Sequence, residues 1–207
     1  YETHDGYLGA CVGRVANRLG GAQFTLNGKT YILAKNDGKN HLHGGPGGFE
    51  CRVWDARETT TPEGNPAVAM SYRSADGEEG YPGNLDITVT YSLTPDNGLV
   101  IDYEATTDAP TIVNPTSHAY YNLHGTTEHS TDSHLLTIHA SGFTPTDAGL
   151  IPTGEILPVE GTPLDFRTPH AIGERIGRTD YEPLAFGNGY DHNWSLDKPE
   201  AGTVSLA

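Results

Sequence analysis

Four short segments concentrate the side chains that can do chemistry. They are "GRVANRLGG", with Asn17 and Arg18; "NHLHGG", with His41 and His43; "NPTSHAYYNLHG", with Asn114, His118, Asn122 and His124; and "NGYDHNW", with Asp191, His192 and Asn193. Each stands at an expected strand end or turn, where a rigid β scaffold presents binding groups. Taken singly, each also has an ordinary explanation: a hydrogen-bonded histidine, a surface arginine, an aspartate capping a turn. In "NHLHGG" one residue separates the two histidines, and an extended chain would point both imidazoles to the same side. Such a pair suits a metal, a proton-transfer site or a polar sugar.

The three chemistries make different demands. A metal would take the pair together with His118, or with His192 and Asp191. A metal-binding jelly roll of the cupin type carries a carboxylate four or five residues after the second histidine. Gly47 and Gly48 stand there instead, and the first acid is Glu50. Ser117 beside His118 does not make a nucleophile and base, because strand neighbours point to opposite faces. A Gly-x-Ser-x-Gly elbow is missing, and "HGGPGGFE" has neither the helix start nor the Lys-Ser/Thr partner of a phosphate loop. Proton transfer fits better, since an imidazole titrates at about pH 6.5 and can donate or accept near neutrality. With Arg, Asn and Asp nearby, two imidazoles could ring a sugar's hydroxyls while Tyr or Trp packs on its apolar face.

These segments need a scaffold, and the pattern around them is one of strands. In the 207 residues, 26 Gly and 14 Pro demand many tight turns between short elements. "QFTLNGKTYIL" places apolar alternation on both sides of Asn27-Gly28, a pair that accepts the positive φ of a two-residue hairpin. "NLDITVTYSL" puts Leu85, Ile87, Val89, Tyr91 and Leu93 on one face. After "TPDNG", "LVIDYEA" repeats the pattern with Leu99, Ile101 and Tyr103. "PAVAMSYRS" and "HLLTIHAS" read as further strands, and only "PHAIGERIG" has the look of one or two helical turns. Strands recurring about every ten residues predict an all-β fold, a β-sandwich or barrel. The Pro- and Gly-rich stretch 144–169 carries Leu150, Ile151, Ile156, Leu157, Leu164 and Phe166, too regularly spaced for a linker. It is expected to be ordered and packed against the sheets.

Charge and composition remove other classes. Asp and Glu number 27 against 12 Lys and Arg, a net charge of −15. Such a surface repels phosphate backbones and anionic lipid, which argues against nucleic-acid or membrane partners and fits a soluble protein with a neutral substrate. Cys11 and Cys51 are too few for a disulfide framework and are expected to be inert thiols. No signal peptide or membrane-spanning apolar run is visible, so a cytoplasmic location is expected. The chain starts at Tyr1 without methionine and stops at "GTVSLA" in what reads as mid-strand, so both ends are expected to be cut.

Six segments, in order, tie these features together: "GRVANRLGGAQFTLNGKTYIL", "NHLHGGPGGF", "DGEEGYPGNLDITVTYSL", "NPTSHAYYNLHG", "LIPTGEILPVEGTPLDFR" and "GYDHNW". Their order and spacing resemble those of the aldose 1-epimerases (galactose mutarotases), over about Gly6 to Trp194. The resemblance implies a large antiparallel β-sandwich with an open sugar cleft. It also implies cofactor-free interconversion of the α and β anomers of hexoses such as galactose and glucose, with a monosaccharide as the partner. Carried over by motif, His118 matches the general acid to the ring oxygen. His43 matches the histidine that hydrogen-bonds the sugar and assists proton transfer, while His41 stands where the family often has another residue. Asn17 and Arg18 match sugar-binding positions, and Asp191 matches a carboxylate that binds sugar hydroxyls. Pro115, Ser117 and Tyr121 depart mildly from the family pattern around the acid.

The family's general base is a glutamate near its C-terminus, following a glutamine-containing strand, and no Glu in these 207 residues sits in a matching motif. The chain is therefore expected to be a single mutarotase-like sandwich domain, residues 1–207, lacking N-terminal strands and the C-terminal strands with the base. Alone, it is expected to be inactive or nearly so, because an acid or base group contributes about 10²–10⁴-fold. A non-catalytic sugar-binding domain that kept the cleft is the alternative. A mutarotase-like domain of a longer sugar-metabolic enzyme is another.

Overall fold

A computed structural model of the chain describes residues 6–126 and 128–198. It is built almost wholly of strands, and every pairing between strands is antiparallel. The all-β class expected from alternation is found, as the antiparallel sandwich that the resemblance implied. By backbone proximity the chain divides into two compact units, Tyr1–Tyr120 and Tyr121–Ala207.

The first unit holds β1 (Cys11–Val12), β2 (Arg18–Leu19), β3 (Gln23–Leu26), β4 (Lys29–Ile32), β5 (His41–Leu42), β6 (Asp55–Thr60), β7 (Pro66–Ser74), β8 (Leu85–Leu93), β9 (Leu99–Thr107) and β10 (Thr116–Ser117). β3 and β4 form the hairpin anticipated at Asn27-Gly28, with φ of 50° and 78° at its two turn residues. β6 to β9 form one meander in chain order. Leu85, Ile87 and Val89 of β8 are buried as the alternation requires, and Phe49 joins them in one cluster flanked by Trp54, Tyr72, Tyr91 and Ile101. Farther along the same face Leu93 is exposed. The short strands use another mode of support. β1 pairs with β10 and β2 with β5, each too short to be stable on pairing alone. Arg14, between β1 and β2, is 2% exposed. Its guanidinium donates to Ser74 Oγ, Thr111 Oγ1 and the carbonyls of Ser74, Ala75 and Pro82. A buried cation is tolerated when its donors are satisfied, and here they tie the β1–β2 segment to the end of β7.

The second unit holds β11 (Leu135–Leu136), β12 (Ala140–Thr144), β13 (Leu157–Pro158), β14 (His170–Ala171), α1 (Glu182–Gly187) and β15 (Asn193–Leu196). β12 is the centre of a three-stranded sheet between β13 and β15, and β11 pairs with β14. "HLLTIHAS", expected as one strand, is two. The Ala140 N–H turns back to the Ile138 carbonyl, the Ile138 N–H is taken by Phe166, and the flanking residues pair with different partners. The stretch 144–169 is ordered as expected, with Val159, Leu164 and Phe166 buried in the unit's core, although Ile156 and Leu157 remain exposed. "PHAIGERIG" makes one 3₁₀ turn, Ile172–Glu174, after β14. The α-helix lies just downstream, with proline in its first turn and Asn188 at φ 50° ending it, as a left-handed C-cap does. Among the described residues no helix is long and apolar enough to cross a membrane.

Candidate active site

The β2–β5 pair sets Arg18 opposite Leu42 and Leu19 opposite His41. One residue beyond the ladder on each side, the backbone leaves the strand conformation: Asn17 has φ 62° and His43 φ 52°. Asparagine tolerates this left-handed region, and the two residues lock each other in it. The His43 N–H donates to the Asn17 carbonyl at 3.1 Å, and the Asn17 N–H donates to His43 Nδ1 at 3.0 Å. Gly44 follows at φ 86°, where a Cβ would stand 1.7 Å from the Gly13 carbonyl oxygen. Only glycine lets the chain leave His43 by that route. At Gly45 a Cβ would meet a Glu79 carboxylate oxygen at 2.3 Å, so these glycines serve close backbone packing.

The left-handed turn also separates the two histidines. A shared side requires unbroken extended backbone, which ends at Leu42, and the expectation that both imidazoles face one way fails there. His41 is fully buried. Its Nδ1 lies 2.7 Å from the Ala34 carbonyl and its Nε2 2.8 Å from the Tyr81 hydroxyl, and burial pushes its pKa below the usual histidine value. His43 is half-buried. No group of three or more His, Cys, Asp or Glu among the described residues is placed to hold a metal.

His118 reaches the same place from the other short ladder. Cys11 pairs with Ser117, and the next two bonds run from the His118 N–H to the Ala10 carbonyl and from the Gly9 N–H to the His118 carbonyl, at 2.9 and 3.2 Å. The His118 ring then stands 5.1 Å from that of His43, nearly perpendicular at 87°. Tyr7 packs on both, at 4.7 Å from His43 and 5.8 Å from His118, and Tyr120 lies 5.0 Å from His118. Arg18 follows Asn17 in the chain. Its Nε donates to Asp37 Oδ2 at 2.8 Å, while the Asn17 Oδ1 accepts the Arg18 N–H at 2.8 Å. The Nη donors of Arg18 and the Asn17 side-chain N–H₂ make no hydrogen bond among the described residues. Two imidazoles thus stand together, one of them bonded to the Asn17 backbone with Arg18 next in the chain, and such a pair can donate to adjacent oxygens.

Asp191 belongs to the second unit. It is exposed on the turn between α1 and β15, and its N–H bonds to His192 Nδ1 at 3.2 Å. The His192 ring packs 6.0 Å from Phe143 and 6.1 Å from Trp194, with its pKa lowered by burial. Asn122 and His124 organise their own loop. The Asn122 amide donates to the Thr126 and His129 carbonyls, and the His124 ring lies tilted against His129 and edge-on to His134. Cys11 is held protonated by burial, which raises its pKa to about 11. Tyr7 and Asp37 escaped the sequence reading. The "NDG" turn was the sole signal for Asp37, and Tyr7 had none beyond being aromatic.

Comparison with known proteins gives one consistent answer. The family model described as Aldose 1-epimerase matches residues 1–205. The galactose mutarotase of Sus scrofa is 45% identical over 193 residues, covering 93% of this chain and 53% of that protein. The aldose 1-epimerase of Escherichia coli K12 is 39% identical over 196 residues, covering 95% and 55%. The crystal structure of galactose 1-epimerase from Lactobacillus acidophilus superposes with a TM-score of 0.86 at 33% identity, over 97% of this chain and 58% of that one. The chain thus spans about half the length of the curated relatives it matches. On the match to nearly all of its residues, this chain belongs to the aldose 1-epimerase family.

Proposed function

We propose that the protein interconverts the α and β anomers of a hexose such as galactose or glucose, and that His118 is the acid of the reaction. The convergence of His43 and His118, their rings 5.1 Å apart beside Asn17 and Arg18, is the observation that carries this reading. Anomer exchange needs the ring C–O bond to break and re-form on the other face of the aldehyde. A base takes the proton of the anomeric hydroxyl while His118 gives one to the ring oxygen. The C–O bond breaks, leaving an aldehyde and a free hydroxyl. After rotation about the adjacent C–C bond the hydroxyl adds back, returns its proton to His118, and the base returns its own to the new anomeric oxygen. No proton is gained or lost over the cycle.

In this scheme His43 hydrogen-bonds the sugar near the transferring proton. Arg18 keeps its Nη donors for hydroxyls because Nε is committed to Asp37, and Asn17 contributes its side-chain N–H₂. Asp191 is assigned to sugar hydroxyls from its motif. None of the 207 residues is assigned as the base. Donors of this kind suit a neutral polyol, and the net charge of −15 disfavours an anionic one. Polarimetry of freshly dissolved α-D-galactose and α-D-glucose with the whole protein tests the reading. Acceleration over the spontaneous rate is expected, with His118→Ala lowering it about 10²–10⁴-fold. No acceleration sinks the activity, and full activity in His118→Ala sinks the acid.

A further inference from the structure

We propose that His41 and His43 are held in opposite tautomers by fixed neighbours, and that His43 is a permanent Nε2–H donor, not a proton carrier. A neutral imidazole has one N–H donor and one acceptor nitrogen, and whatever faces one nitrogen decides the other. At His43 the group facing Nδ1 is the Asn17 backbone N–H, at 3.0 Å. An amide N–H donates only, so Nδ1 is the acceptor and the proton sits on Nε2. At His41 the group facing Nδ1 is the Ala34 carbonyl, at 2.7 Å. A carbonyl accepts only, so Nδ1 carries the proton, and Nε2 accepts from the Tyr81 hydroxyl at 2.8 Å.

The Asn17 amide has little freedom to yield. Its residue is held in the left-handed region, its carbonyl takes the His43 N–H, and its side-chain oxygen takes the Arg18 N–H. A second proton on His43 would set N–H against N–H, breaking one bond and leaving two donors facing each other. His43 therefore offers the same donor throughout, whereas no backbone bond of this kind pins the His118 ring among the described residues. Asn17 acts here as a positioning residue through its backbone. The donor role of His43 rests on the epimerase reading; the tautomers do not.

Nitrogen-15 NMR of histidine-labelled chain at pH 8, without sugar, reads the tautomers directly, with His43→Gln and His41→Gln assigning the two signals. His43 is expected to show a proton on Nε2 and a bare Nδ1, and His41 the reverse. A proton on Nδ1 of His43, or a rapidly exchanging mixture, overturns the proposal. The half-exposed His43 decides it alone if His41→Gln does not fold. In the whole protein, His43→Gln, whose amide nitrogen reaches toward the Nε2 position, is expected to lose less kcat/KM than His43→Asn by about tenfold. The opposite order rejects the donor role. A protein without mutarotase activity would reject the epimerase reading, and the donor role with it, while the tautomers seen by NMR would still stand.

Discussion

His41 is sealed between the Ala34 carbonyl and the Tyr81 hydroxyl, whereas His43, with one residue between them, opens beside His118 and Tyr7. The residue type is the same and the chain position almost so. The difference comes from one backbone angle, the φ of 52° at His43, which ends the alternation of β5. Buried imidazole with both nitrogens engaged is a structural group. Half-buried imidazole with Nδ1 held by backbone and its ring against a second histidine is a candidate for chemistry. Environment separates the two, where spacing alone would have joined them.

The sharpest way to break this contrast is to remove the buried partner. His41→Ala leaves the Ala34 carbonyl and the Tyr81 hydroxyl without their bonds and opens a void, so urea unfolding should show a loss of about 2–4 kcal/mol. A loss under about 0.5 kcal/mol would mean that His41 is not the structural member of the pair. His43→Ala should do the converse. Its unfolding midpoint should move little, because the Asn17 N–H it releases is exposed, while kcat/KM of the whole protein for anomer exchange falls about 10–100-fold, or about 1.4–2.7 kcal/mol. Equal stability losses in the two variants would erase the distinction.

The smallest effect is in pH. His41 has its pKa depressed by burial, so the unfolded chain binds its proton first as pH falls. The stability this residue contributes is complete above the unfolded value of about 6.5 and is lost as pH drops toward the folded one. His192, depressed for the same reason, adds a slope of the same sign. Between about pH 7.5 and 5 the wild-type midpoint in urea should therefore fall more steeply than that of His41→Gln. Parallel slopes would show that His41 titrates normally.

Much of the scaffold was legible from local chemistry. The Asn27-Gly28 hairpin and the buried face of β8 follow from turn residues and period-two alternation, both of which act within a few residues. Less local features escaped. "HLLTIHAS" alternates like one strand, but Phe166 captures the Ile138 N–H and divides it. The six-residue α1 is too short to show a helical period. Of the residues that the motifs single out, Asn17 and His43 bond to each other with Arg18 next in the chain, and the His118 ring lies 5.1 Å from that of His43. Tyr7 and Asp37 are not singled out, because a ring contact and an ion pair depend on how distant segments fold back.

The sequence by itself determined the antiparallel all-β class, the family, and which segments carry reactive side chains. Those properties reside in alternation, turn chemistry and ordered motifs, all readable along one dimension. Only the tertiary structure decided what each histidine does. The Asn17 N–H that faces His43 comes from 26 residues away, and the Tyr81 hydroxyl that faces His41 from 40. A hydrogen bond orients an imidazole only once its partner has been brought within about 3 Å. No spacing within "NHLHGG" contains that information.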